Sequence, residues 1–216
     1  MKRAKPRGRQ GVTRVASDGG HIVVSFERTA LGVSKSDVES AIVAVFTRAM
    51  NRSGFATEAI QNSAENGFDF TLRDRGGIRD LELTEVVPKA AAGAVPYDAP
   101  NKVQTMGAVA DLVLARVAEK AAHYAKGHTP IDLIVYPTDF KLSLPANVIA
   151  LIQIALHDIS TPFETVYWVE PTDIEELQLR LLWPADISHY PVDRVLEYRA
   201  REFFLVDPAA WVLGKP

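Results

Sequence analysis

Residues 67–87 read GFDFTLRDRGGIRDLELTEVV. Two runs of alternating apolar and polar residues flank Asp74-Arg75-Gly76-Gly77, the pattern of a β-hairpin. In the first run Phe68, Phe70 and Leu72 share one face, with Asp69 and Thr71 on the other. In the second, Leu81 and Leu83 share a face, opposite Asp80, Glu82 and Thr84. With Arg75-Gly76 at the turn, Phe70 faces Leu81 and Phe68 faces Leu83, which makes one coherent apolar surface. The same register sets Asp69 directly across from Glu82. Opposed side chains have Cβ atoms ~4.5–5.5 Å apart, and like charges there repel. A shared proton, a cation between the carboxylates, or solvent must offset that repulsion. The plain alternative is an exposed hairpin face whose acids are balanced by Arg73, Arg75 and Arg79.

Outward from the hairpin, residues 34–50 place Val38, Ile42, Val45, Phe46 and Ala49 on one helical face. Ser36 with Glu39 three residues later reads as a capping box, and Gly54 closes the far end. Residues 88–101 form a long connection rich in Pro, Ala and Gly. A helix over residues 102–125 follows, burying Val103, Met106, Val109, Val113, Val117 and Ala121. Residues 131–136 (IDLIVY) suit a strand covered on both faces, residues 146–157 an apolar helix, and residues 165–169 a further strand. That strand–helix–strand order implies a parallel crossover. Residues 21–27, 177–183 and 202–206 read as additional strands. The fold class is α/β: a mixed β-sheet with flanking helices.

The chain has 216 residues, 24 Lys+Arg, 27 Asp+Glu and no Cys. This length suits one elaborated domain, and the absence of cysteine excludes disulfides, thiol nucleophiles and zinc–thiolate sites. It also steers any metal toward hard, oxygen-ligated ions. No apolar run approaches a membrane span and no secretion signal opens the chain, so the expectation is a cytoplasmic protein with no membrane partner. The net charge of −3 is uneven: residues 1–14 carry six basic groups and no acid, and the rest holds 18 basic against 27 acidic residues. Residues 1–20 are therefore expected to be a basic, disordered arm, and residues 21–216 one domain. Such an arm either grips nucleic-acid phosphate or is a solvated tail. Phosphate loops, dinucleotide turns, nucleophile elbows and HExxH zinc helices are all missing, and the five histidines are dispersed.

The order helix, strand with Asp, hairpin, strand with Glu-x-x, helix and parallel strand resembles the restriction-endonuclease-like, or PD-(D/E)XK, nuclease superfamily. The resemblance covers roughly residues 34–137. It implies an αβββαβ core with a C-terminal extension and metal-dependent phosphodiester hydrolysis on DNA or RNA. Phe68-Asp69-Phe70 stands where the family has its Pro-Asp element, and Glu82-Leu83-Thr84 where it has Glu-x-Lys. By this resemblance Asp69 and Glu82 bind Mg²⁺ or Mn²⁺, and Glu39 on the first helix adds a third acid. Thr84 lines the same face in place of the motif lysine, and Lys102 or Lys89 replaces the ammonium. The alternative on the same fold is a non-catalytic module that binds nucleic acid or protein. A third reading is a small-molecule enzyme at the end of the strand over residues 131–136, near Asp139. Leu31, Val33 and Trp211-Val212-Leu213 suggest apolar surface for a homo-oligomer.

Overall fold

A computed structural model describes residues 11–18, 21–28, 34–62, 67–87, 104–124, 130–138, 142–171 and 177–203. Lys89, Lys102, Asp139, Leu31, Val33 and the segment 211–213 lie outside the described residues. Strands β1 (Gly11–Asp18) and β2 (His21–Arg28) pair antiparallel as a two-stranded sheet, so part of the arm expected over residues 1–20 is instead a strand.

Helix α1 (Lys35–Arg52) follows. Its capping box is Ser34–Asp37 and not Ser36–Glu39: Ser34 Oγ accepts from Asp37 N at 3.1 Å, and Asp37 Oδ2 accepts from Ser34 N at 2.7 Å. Both pairs satisfy the same spacing rule, and the helix starts at the earlier one. Ser36 Oγ instead accepts from Gln61 Nε2, at 3.1 Å.

Strand β3 (Glu58–Gln61) was not expected from the sequence, and it pairs antiparallel with β4 (Phe70–Asp74). β4 pairs with β5 (Gly77–Val86) in the register the apolar pairs dictate, Phe70 opposite Leu81 and Leu72 opposite Arg79. Asp74 Oδ1 accepts from Gly76 N at 2.7 Å to close the turn, and Gly77, with φ of 128°, takes a conformation that glycine tolerates best. A two-residue strand β6 (Gln104–Thr105) leads into α2 (Met106–Ala121), whose N-cap is Thr105.

Next come β7 (Ile131–Pro137), α3 (Ala146–His157), β8 (Phe163–Pro171), β9 (Leu177–Trp183), α4 (Val192–Leu196) and β10 (Glu202–Phe203), which pairs with β6. The main sheet has six strands in the order β3-β4-β5-β7-β8-β9, with β5–β7–β8 parallel and the other pairs antiparallel. The chain is thus a mixed α/β protein.

Both faces of the sheet are covered, which is why β7 reads as a nearly continuous apolar run. Leu81, Leu83, Ile134 and Tyr136 pack with Ile42 and Phe46 of α1. Val86, Leu133 and Val135 pack on the other face with α2 and α3. Glu82 and Thr84 therefore project, by strand alternation, toward α2.

Candidate functional site

The β4–β5 ladder ends at Phe70 and Leu81. One residue earlier, Asp69 stays with β3, whose neighbour Asn62 donates N–H to Asp69 O at 3.2 Å, while its carboxylate turns to β5 and accepts from Leu83 N at 3.0 Å. Asp69 thus does not stand opposite Glu82 in a ladder, as the register alone implies. The strands part there, and the carboxylate takes the amide that pairing would have used. Phe68 changes sides as well: it leaves the face of Phe70 and stacks on Tyr124 beyond α2, with centroids 5.3 Å apart. Parting the strands relieves the repulsion that direct opposition would impose.

Glu82, only 4% exposed, sits on the β5 face toward α2. Lys120 Nζ, from the last turn of α2, donates to Glu82 Oε1 and forms an ion pair with it. The Tyr124 hydroxyl also bonds to Glu82. Its ring is held between Phe68 and Phe163, the latter edge-on at 6.1 Å. The charge of Glu82 is thus balanced by an ammonium of the chain itself. Lys89 and Lys102, which the sequence suggests as substitutes for the motif lysine, lie outside the described residues, and Lys120 was not among the candidates. The signal was present: Val113, Val117, Lys120 and Tyr124 recur at i, i+4, i+7 and i+11, so the lysine occupies a core-facing helical position.

Glu39, freed from any capping role, is 6% exposed on the second turn of α1, and its Oε1 lies 3.1 Å from Lys35 Nζ. Burial holds the Glu39 carboxyl above the usual range; the Asp69 charge adds to this, and Lys35 and Lys120 oppose it. Burial likewise raises Glu82, against its bonds to Lys120 and Tyr124, and the Asp69 charge adds to the rise. Tyr124 is pushed up by burial and by its bond to Glu82. Lys35 is raised because the charges of Glu39, Asp69 and Glu82 outweigh its desolvation. Three acids and two lysines thus form one electrostatic unit, with a net charge of −1 when all are ionised.

Thr84 is buried in β5 on the same face as Glu82. Among the described residues, no three His, Asp or Glu side chains are grouped so as to hold one metal ion. Asp69, Glu82 and Glu39 each have a partner from the protein: Leu83 N, Lys120 and Lys35 respectively. For Asp69 and Glu82 the donor chemistry fits a hard cation, being oxygen-only, part-buried and mutually repulsive.

A second feature lies elsewhere. An open cleft of about 700 Å³ sits at the hairpin turn, where Phe55, Arg75, Ile78, Arg79 and Tyr167 line it, and it includes none of the five charged groups above. Arg79 there is ion-paired with both Asp74 and Asp132, and Thr165 donates to Asp132. Pro130 on its wall marks the amino end of β7, whereas α/β proteins gather ligands at the carboxyl ends of parallel strands. Comparison with family models, curated proteins and solved structures finds no match to this chain.

Proposed function

We propose that the chain is a divergent nuclease of the restriction-endonuclease-like type, hydrolysing phosphodiesters at Asp69, Glu82 and Lys120. The observation that carries this reading is Lys120 on Glu82, an ammonium delivered from α2 to the acid pair that the Glu-Leu-Thr strand leaves without one. The order α1, β3, β4, β5, α2, β7, apart from the short β6, also follows the αβββαβ core of that superfamily.

Asp69 and Glu82 would hold Mg²⁺ or Mn²⁺, which when bound supplies positive charge to the phosphate and acidifies water. Lys120 stabilises charge on the phosphorane as water attacks and the P–O ester bond breaks. The attacking water gives up its proton to solvent, and the departing sugar oxygen takes one back. Thr84 lines the floor, and the basic residues before Arg14 add phosphate contacts. The substrate is DNA or RNA.

Purified protein mixed with Mg²⁺ or Mn²⁺ and plasmid DNA, single-stranded DNA or RNA tests this. Cleavage is expected, falling by roughly a hundredfold or more in Asp69→Asn and Glu82→Gln. Cleavage unchanged in both variants contradicts the assignment.

The second reading is a non-catalytic nucleic-acid- or protein-binding module. It is favoured by the protein partner already present on each of the three acids. Titration calorimetry with Mn²⁺ separates the two. Binding lost in Glu82→Gln supports the nuclease, and no metal binding by the wild type supports the module.

A further inference from the structure

The cleft at the hairpin turn gathers side chains that a folded surface ordinarily hides. Phe55, Ile78 and Leu181 are 53%, 56% and 40% exposed, and all three line it together with Tyr167 and Leu179. Single exposed apolar residues are ordinary, but several around one concavity of about 700 Å³ have the character of a small-molecule site. The turn that presents Phe55 is fixed from two sides. Asn51 Nδ2 donates to Thr57 O at 2.9 Å, Asn51 Oδ1 accepts from Thr57 N at 2.5 Å, and Phe55 N donates to Met50 O at 3.1 Å. Between them Ala56 takes a φ of 47°, a left-handed conformation uncommon for a residue with a side chain. Such strain persists only where the surroundings impose it, and it concentrates at sites that hold ligands.

Arg79 supplies the polar part of the cleft. It is half-buried, its Nη2 ion-paired with Asp74 and its Nη1 3.4 Å from Oδ2 of the fully buried Asp132. Two acids thus hold the guanidinium in one plane. Its flat face and its remaining N–H donors are what it can offer a ligand, and such a face stacks on aromatic rings. The charges narrow the ligand further. Arg75 and Arg79 line the cleft with Asp74 and Glu164, two charges of each sign. An anion or a cation therefore meets repulsion along with attraction, and a neutral ring meets neither. Ligands of parallel sheets collect at the carboxyl ends of the strands, but the walls here come from the antiparallel β4–β5 turn and from β9, which that rule does not cover.

We infer that this cleft binds an uncharged aromatic ligand, its ring against Phe55 and the Arg79 guanidinium and an acceptor atom of the ligand on an Arg79 N–H. The inference is independent of the nuclease reading, because the cleft shares no residue with Asp69, Glu82, Lys120 or Tyr124.

Three probes of one shape test it by proton–nitrogen correlation NMR: naphthamide, which is neutral, naphthoate, an anion, and naphthylmethylammonium, a cation. Naphthamide is expected to shift the amide signals of Phe55, Gly76 and Ile78 and to bind at least about fivefold more tightly than either charged probe. Phe55→Ala, at an exposed position, should weaken it about tenfold. Arg79→Lys keeps a cation for Asp74 and Asp132 but removes the flat face, and should also weaken it. Ile159→Ala, an exposed apolar residue outside the cleft, should change nothing.

No shifts from any probe overturn the inference, as does affinity unchanged in Phe55→Ala or reduced equally in Ile159→Ala. Tightest binding of a charged probe overturns the neutral ligand, and wild-type affinity in Arg79→Lys overturns the guanidinium's part. Sedimentation supplies the remaining arm: a dimer that Phe55→Asp dissociates would assign the apolar wall to a second copy of this chain and overturn the ligand site.

Discussion

Lys120 changes what Glu82 means. A carboxylate 4% exposed on a central strand is costly unless paired, and the ammonium from α2 provides the pairing. Removing only the lysine strands a buried charge, so Lys120→Met should destabilise the fold by about 3 kcal/mol in urea denaturation. Lys120→Met combined with Glu82→Gln should recover most of that loss, because the uncompensated carboxylate is gone. A double variant as unstable as the single one would mean that the lysine's contribution is packing and not charge.

The buried acids also set a pH dependence. Glu39, Glu82 and Asp132 are all held above their ordinary values, burial being the first cause in each. The folded chain therefore keeps these protons to higher pH than the unfolded chain does. Between the ordinary values, 4.5 for the glutamates and 3.8 for Asp132, and the raised ones, stability falls as pH rises. The contribution is complete below the unfolded values and is lost as pH passes the folded ones. Thermal melting of Glu39→Gln and Asp132→Asn across the mildly acidic range should show a flatter profile than the wild type. Profiles as steep as the wild type's would place the dependence on other groups.

At the scale of elements, the two candidate capping boxes make a clean comparison. Ser34→Ala should cost about 1 kcal/mol, whereas Ser36→Ala should be close to neutral. The reverse ranking in chemical denaturation would return Glu39 to a capping role.

The hairpin was legible because apolar pairs allow a single register: shifting β5 by one residue would turn Leu81 and Leu83 to the wrong face. Where the hairpin ends was not legible, since Phe68 continues the alternation in sequence yet packs on Tyr124 across the sheet. A contact to a distant helix overrode the local pattern. β3 was missed for another reason: four residues, three of them exposed, carry too little alternation to announce a strand. For the site, Asp69, Glu82, Thr84 and Glu39 could be named from the sequence. Lys120 was missed because charged residues on a helix are ordinarily read as its wet side, although its spacing from Val113 and Val117 puts it on the buried face.

On the scale of the whole molecule, the two cores share β5 and β7 as a common wall. They should therefore unfold together. Phe46→Ala, in the core under α1, should cost about 3–5 kcal/mol. Trp168 is buried in the opposite core, so its fluorescence should shift midpoint along with the far-UV circular dichroism. A Trp168 transition left in place would mark the two faces as independent units. Among the described residues no helix is long and apolar enough to cross a membrane.

The charge distribution serves the proposed substrate only locally. A body whose residues beyond Arg14 carry 18 basic against 27 acidic groups repels polyanions, so recognition must come from particular lysines and not from a general field. This makes the lysine on α2 the decisive residue. The most direct test measures metal-dependent cleavage of a labelled oligonucleotide by wild type, Lys120→Met and Lys120→Arg, with folding verified by circular dichroism. Cleavage by wild type that falls by roughly a hundredfold or more in folded Lys120→Met, and partly survives in Lys120→Arg, is the expected result. Cleavage that proceeds equally well without Lys120, or a wild type that cleaves none of DNA, RNA or single strands with Mg²⁺ or Mn²⁺, would contradict it.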